Sequence, residues 1–186
     1  MWVALVVLLV LLGVSALGVI AFNRLRTADI AAEEALGGID VQLTRRADLI
    51  PNLVGTVKGY AAHERSVLDE VTAARAGISR ATRSGGVEDR AAAQARLDRA
   101  IVNVLAVAEA YPDLEASENF LQLQTELAET EGALAFARQY YNDAVRSLNT
   151  LVATLPWLLF VGVSGVRRRE FYEAPEGQEA PPVIEF

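Results

Sequence analysis

The sequence predicts an all-α protein: an N-terminal transmembrane helix that continues into an antiparallel, up-and-down helical bundle. Three observations carry this. Residues 2–22 contain no charged side chain, and every charge in the chain lies from Arg24 onward. Proline is absent from 52–111 and from 113–155, where Ala, Leu, Glu, Gln and Arg, all good helix formers, dominate. Apolar residues recur there at steps of three and four, and no segment alternates with the period of two that a strand needs.

The apolar run comes first. At 1.5 Å per residue, Trp2 to Phe22 spans roughly 30 Å, the thickness of a bilayer core. A cleaved signal peptide is the competing reading, since Val14-Ser15-Ala16 loosely resembles a cleavage site. Against it, no Lys or Arg precedes the run, and the apolar stretch continues past Ala16 to Phe22. Arg24 and Arg26 follow the span directly. The positive-inside rule then places the soluble region in the cytoplasm and the N-terminus outside. The small residues Gly13, Ser15, Ala16, Gly18 and Ala21 include no pair four apart, so close helix dimerisation through this span is not expected.

The next seam runs Leu25, Ala28, Ala32, Leu36, Ile39, Leu43, Ala47, Ile50, Val54, Val57, Ala61, Leu68 and Val71. Pro51 interrupts it. Proline removes a helical hydrogen bond and disfavours helical geometry at the residue before it, so the chain is expected to kink or turn there. A sharp turn gives four antiparallel helices; a kink gives one long arm with return helices. Ser84-Gly85-Gly86 is the strongest turn signal and Tyr111-Pro112-Asp113 the next. The last stripe, Phe120, Leu123, Leu127, Thr130, Leu134, Ala137, Tyr141, Ala144, Leu148, Leu151 and Leu155, marks a helix packed at a shallow left-handed crossing, as in a coiled coil. The predicted helices are 2–49, 51–83, 87–110 and 117–155.

Composition excludes several functions. The chain carries 24 acidic and 17 basic side chains, net −7, which opposes binding to nucleic acid. There is no Cys, so thiol nucleophiles, disulfides and zinc ribbons are out. The single His, His63, has no second His to complete a metal site. No nucleophile elbow and no phosphate-binding loop is present. Neither catalytic residue nor cofactor is predicted.

Two stretches are distinctive: GGIDVQLTRRADLIPNLVGTVKGYAAHERSVLDEV from Gly37 to Val71, and AEAYPDLEASENFLQLQTELAETEGALAFARQYYNDAVRSLN from Ala108 to Asn149, with the shorter REFYE from Arg169 to Glu173. Together they resemble the LemA family of bacterial proteins. The resemblance implies one transmembrane helix with a helical bundle, and no established enzymatic reaction. The polar motif residues fall in two clusters. Arg45, Arg46, Asp48 and Asn52 gather at Pro51, and Arg138, Asn142, Asp143 and Arg146 form a helical stripe. They read either as a partner-binding surface or as an interhelix salt-bridge network that sets register. If the first and last helices both start from the membrane, residues at one height have numbers summing to about 179, at equal helical rise. That pairs Arg146 with Glu33 or Glu34, Arg138 with Asp40, and Arg45 and Arg46 with Glu131 or Glu129.

Leu155 to Val163 is apolar but too short to span a bilayer. Trp157 and Phe160, followed by Arg167, Arg168 and Arg169, suit a membrane-interface segment; a cap on the bundle's open end and a subunit contact are the alternatives. The resulting division is residues 1–23 as anchor, 24–155 as bundle, 156–169 as membrane-proximal apolar and basic segment, and 170–186 as acidic extended tail. The functional expectation is a self-associating scaffold of the LemA type in a bacterial inner membrane, shaping or organising that membrane. Its partners would be the lipid bilayer, further copies of itself and a membrane protein. An adaptor or regulatory subunit for a membrane protease or other enzyme is the alternative, and an unrecognised hydrolase a third.

Overall fold

The computed structural model describes residues 1–173; most of the predicted acidic tail, 174–186, lies outside the described residues. The described chain is all-α, as predicted. It forms α1 (Trp2–Tyr60), α2 (Arg65–Ser84), α3 (Val87–Ala108), the short α4 (Pro112–Glu115) and α5 (Glu118–Ala153). A 3-10 turn at Trp157–Phe160 and a last short helix, α6 (Val161–Ser164), follow. The chain packs as two units. One comprises 1–37 with 139–171, the other 38–138 with Tyr172.

Of the two readings of Pro51, the sharp turn does not occur and the long arm does. Pro51 lies inside α1, which runs on to Tyr60, and the chain reverses instead at Ala61–Glu64. A helical proline leaves the carbonyl four residues earlier without its N–H partner. Here that carbonyl belongs to Ala47, and Arg75 Nε of α2 donates to it at 3.0 Å. The same guanidinium stands 3.8 Å from Asp48. The backbone bond that proline removes is thus replaced from a neighbouring helix. Arg75→Ala should cost about 1–3 kcal/mol, the penalty for an unsatisfied carbonyl. In a Pro51→Ala background, where the N–H is restored, the same change should cost clearly less, as a double-mutant cycle by urea denaturation would show.

In the second unit, α2 turns its stripe of Leu68, Val71, Ala74, Ile78 and Ala81 inward, against α3. The turn between them needs glycine at 85. A Cβ there would lie 2.7 Å from the Asp89 Cβ and 2.8 Å from the Ala81 carbonyl oxygen. Asp89 also accepts a hydrogen bond from the Gly86 N–H at 2.8 Å, capping α3. Along α1, Leu25, Ala32, Ile39, Arg46 and Leu53 are all buried at strict seven-residue spacing. The predicted seam missed Arg46 and Leu53, and its Ala28, Leu36 and Val54 are only half-buried. On α5 the stripe from Phe120 to Leu148 is largely buried, but Leu155 is exposed while Val145 and Val152 are buried instead. A straight helix drifts about 20° per heptad, which carries the buried face off a strict repeat by its end.

Gly37 and Gly38 are exposed within α1, and a Cβ on either would meet nothing. Glycine costs a helix interior roughly 0.5–1 kcal/mol relative to alanine. Gly37→Ala with Gly38→Ala should therefore raise the thermal midpoint, checked by circular dichroism melting.

Candidate membrane-interface site

In the first unit, the chain doubles back along the apolar part of α1. It bends by 85° between α5 and the segment from Trp157 to Ser164. The Arg24 guanidinium lies 5.2 Å from the centroid of the Trp157 ring, a cation–π contact. Phe160 packs so closely on α1 that a Cβ built at Gly18 would come within 3.3 Å of its ring. Arg169 then reaches Asp29 at 2.8 Å and Glu33 at 3.5 Å. Arg26 joins the same carboxylate, Asp29, at 3.6 Å. Contacts to Arg24, then Gly18, then Asp29 describe a dip and a return. From Arg24 to Gly18 the descent is about 9 Å at helical rise.

The dip keeps its apolar surface outward. Leu159 and Val163 are 71% and 79% exposed, and Leu155 and Leu158 are exposed too. Trp157 and Phe160 are half-buried, Arg167 and Arg168 exposed, and Arg169 half-buried in its ion pairs. The returning segment is held by its backbone. The Asn149 amide accepts from the Arg169 N–H at 3.0 Å and donates to the Arg169 carbonyl at 2.9 Å. The Tyr141 hydroxyl donates to the Glu170 carbonyl at 2.9 Å. Val166 is buried.

The second unit holds the other predicted residues. Arg46 is buried between Asp98 of α3, at 3.2 Å, and Glu131 of α5. Arg138 reaches Glu131 at 3.3 Å. Gln94 donates to Asp98 at 3.3 Å and accepts from the Tyr172 hydroxyl at 2.9 Å. Arg90 pairs with Asp40 at 2.6 Å. Burial pushes the Arg46 pKa down, while Asp98 opposes that shift. Burial also raises the Tyr172 pKa above its ordinary value, so this phenol stays a neutral donor. Its stabilising contribution should be constant below about pH 10, where the unfolded tyrosine ionises, and should decline above that.

Of the pairings expected from equal height, Arg46 with Glu131 forms. Asp40 takes Arg90 instead of Arg138, because Arg138 is drawn to Glu131 on its own helix. Arg146 pairs with Asp143 one turn away at 2.5 Å, and Glu33 with Arg169. Arg45 is exposed, and Asn142 is half-buried. Asn52 lines an open cleft of about 450 Å³ with Pro51, Gly55, Thr56, Asn119, Gln122, Leu123 and Glu126. Among the described residues no group of three His, Asp or Glu side chains could hold a metal.

Each of the two distinctive stretches, and the REFYE segment, supplies packed residues to the units in which its residues fall. The sequence pattern of the LemA family matches residues 35–186. The chain belongs to the LemA family. The magnetosome protein MamQ of Magnetospirillum gryphiswaldense is 25% identical, over 94% of this chain and 75% of its own length. Two MamQ proteins of Paramagnetospirillum magneticum are 23% identical, over 92% of this chain and 74% of theirs. The described part of this LemA-family chain is helical, and one helix, Trp2–Tyr60, is long and apolar enough to cross a membrane.

Sequence reasoning missed Asp29, Glu33, Asp40, Arg90, Gln94, Asp98, Asn149 and Tyr172. One signal was present. Arg90, Gln94 and Asp98 recur every four residues beside the apolar face of α3 formed by Leu97, Ile101 and Val104. Polar residues in that position need buried partners.

Proposed function

We propose that this LemA-family protein is a membrane-anchored, self-associating scaffold of a bacterial inner membrane, with its N-terminus outside and its bundle in the cytoplasm, and that it organises the bilayer around it. One observation carries the membrane part of this reading. Beside the apolar helix, the segment from Trp157 to Ser164 dips along the same apolar run and turns Leu158, Leu159 and Val163 outward. A soluble domain gains nothing from such exposure, whereas a lipid surface covers it. Trp157, Phe160, Arg167, Arg168 and Arg169 are its membrane-interface residues, Arg169 also tying the segment to α1. The buried polar cluster around Arg46 sets register, and no enzymatic step belongs to the reading.

The adaptor reading has its own support in the cleft at Asn52. Its walls come from both distinctive stretches and present the amides Asn52, Asn119 and Gln122. Mass measurement of the full chain in mild detergent, with negative-stain imaging, separates the two. Defined oligomers support the scaffold. A monodisperse monomer at micromolar concentration removes it.

A further inference from the structure

The dip leaves a groove on α1. Ser15, Gly18, Val19 and Phe22 form one wall, Phe160 and Val163 the other, around a volume of about 380 Å³. That volume falls in the range of roughly 300–1,000 Å³ typical of small-molecule sites. Its lining is apolar apart from one hydroxyl, and it lies wholly beside the uncharged run. Water cannot satisfy such walls, and within a bilayer acyl chains are the material at hand. A second copy of α1 fits less well, because the small residues of the run include no pair four apart.

Above the groove the charges are mixed: Arg167, Arg168 and Arg169 stand with Asp29, Glu33 and Glu170. Phe160 lies at Gly18 and Arg169 at Asp29, so the chain between them climbs past the level of Arg24. Arg167 and Arg168 stand on that climb, exposed, with no ion pair among the described residues. The nearby carboxylates Asp29 and Glu33 are already engaged by Arg169.

We propose that this notch holds one anionic phospholipid, an acyl chain in the groove between Gly18 and Phe160 and the phosphate against Arg167 and Arg168. The inference rests on the membrane-interface reading of Trp157 and Phe160 and deepens it. Phosphate oxygens accept charge-assisted hydrogen bonds from arginine, and the flat guanidinium can engage two of them at once. Gly18 makes the groove possible, since any side chain there meets Phe160.

The test is native mass spectrometry of the full chain in mild detergent, titrated with phosphatidylglycerol or with phosphatidylcholine of the same acyl chains. The wild type should retain one phosphatidylglycerol per chain, at least fivefold more than phosphatidylcholine. Gly18→Leu should lose retention of both, with Gly18→Ala intermediate and helicity unchanged by circular dichroism. Arg167→Gln with Arg168→Gln should keep an acyl chain but lose the preference for phosphatidylglycerol. Equal retention of the two lipids by the wild type, or full retention by a folded Gly18→Leu, overturns the proposal. In the same preparations, in a Trp2→Phe background, brominated lipids should quench Trp157. Quenching without lipid retention defeats the notch alone; absence of quenching defeats the interface reading beneath it.

Discussion

Replacing Arg46 with alanine is expected to destabilise the protein by about 3–5 kcal/mol, the cost of removing one partner from a buried ion pair. Its side chain is 8% exposed, and Asp98 beside it is 16% exposed. Removing the guanidinium leaves the Asp98 carboxylate without its charge partner, with Gln94 still donating to it, and leaves Glu131 with Arg138 alone. Denaturant midpoints measure the loss. A companion variant, Arg46→Met with Asp98→Leu, should recover much of it, because a packed apolar pair needs no charge balance. A loss below about 1 kcal/mol in the single variant would mean the pair behaves as a screened surface contact. The pairing also occupies a seven-residue core position on α1, where a polar residue fixes helix register at some cost in stability.

Asn149→Leu should have the next largest effect, about 2 kcal/mol, since it strips partners from both backbone groups of Arg169. The returning segment should then leave its site. Limited proteolysis after Arg167 to Arg169 should accelerate, and the Arg169 amide should exchange faster with solvent. Asn149→Asp separates the two bonds. It keeps an acceptor for the Arg169 N–H and loses the donor to its carbonyl, so an intermediate cost is expected. Unchanged proteolysis in Asn149→Leu would show that the ion pairs to Asp29 and Glu33 hold the segment without the amide.

Much of this architecture was legible in the sequence because it rests on local rules. The uncharged run, the glycine turn at Gly85, the stop at Pro112 and the stripe of α5 follow from helix propensity and periodicity. The return of Trp157 to the level of Arg24 followed from charge and hydropathy together. The choice at Pro51 between turn and long arm stayed open because the cost of a helical proline depends here on Arg75, a donor 28 residues from Ala47 that no local rule supplies. The end of the α5 stripe was misread because a strict heptad was extended along a helix of 3.6 residues per turn. Arg46 with Glu131 was legible from height alone. Arg138 with Asp40 was not, because Arg90 of α3, a helix outside that estimate, claims Asp40. REFYE was recognised as a motif, yet the burial of Tyr172 and the clamp on Arg169 are tertiary facts without periodicity.

The depth of the dip tests the central claim most directly. The full chain, carrying Trp2→Phe, is placed in vesicles whose lipids bear bromine either near the headgroup or deep in the acyl chain. Trp157 should be quenched most by the shallow bromines. A second protein, with Trp157→Phe and Phe160→Trp as well, should shift its strongest quenching to the deeper label, by about 9 Å of helical descent at most. If both indoles are instead quenched by aqueous acrylamide and by neither brominated lipid, the segment lies outside the bilayer and the account of its second membrane contact is wrong.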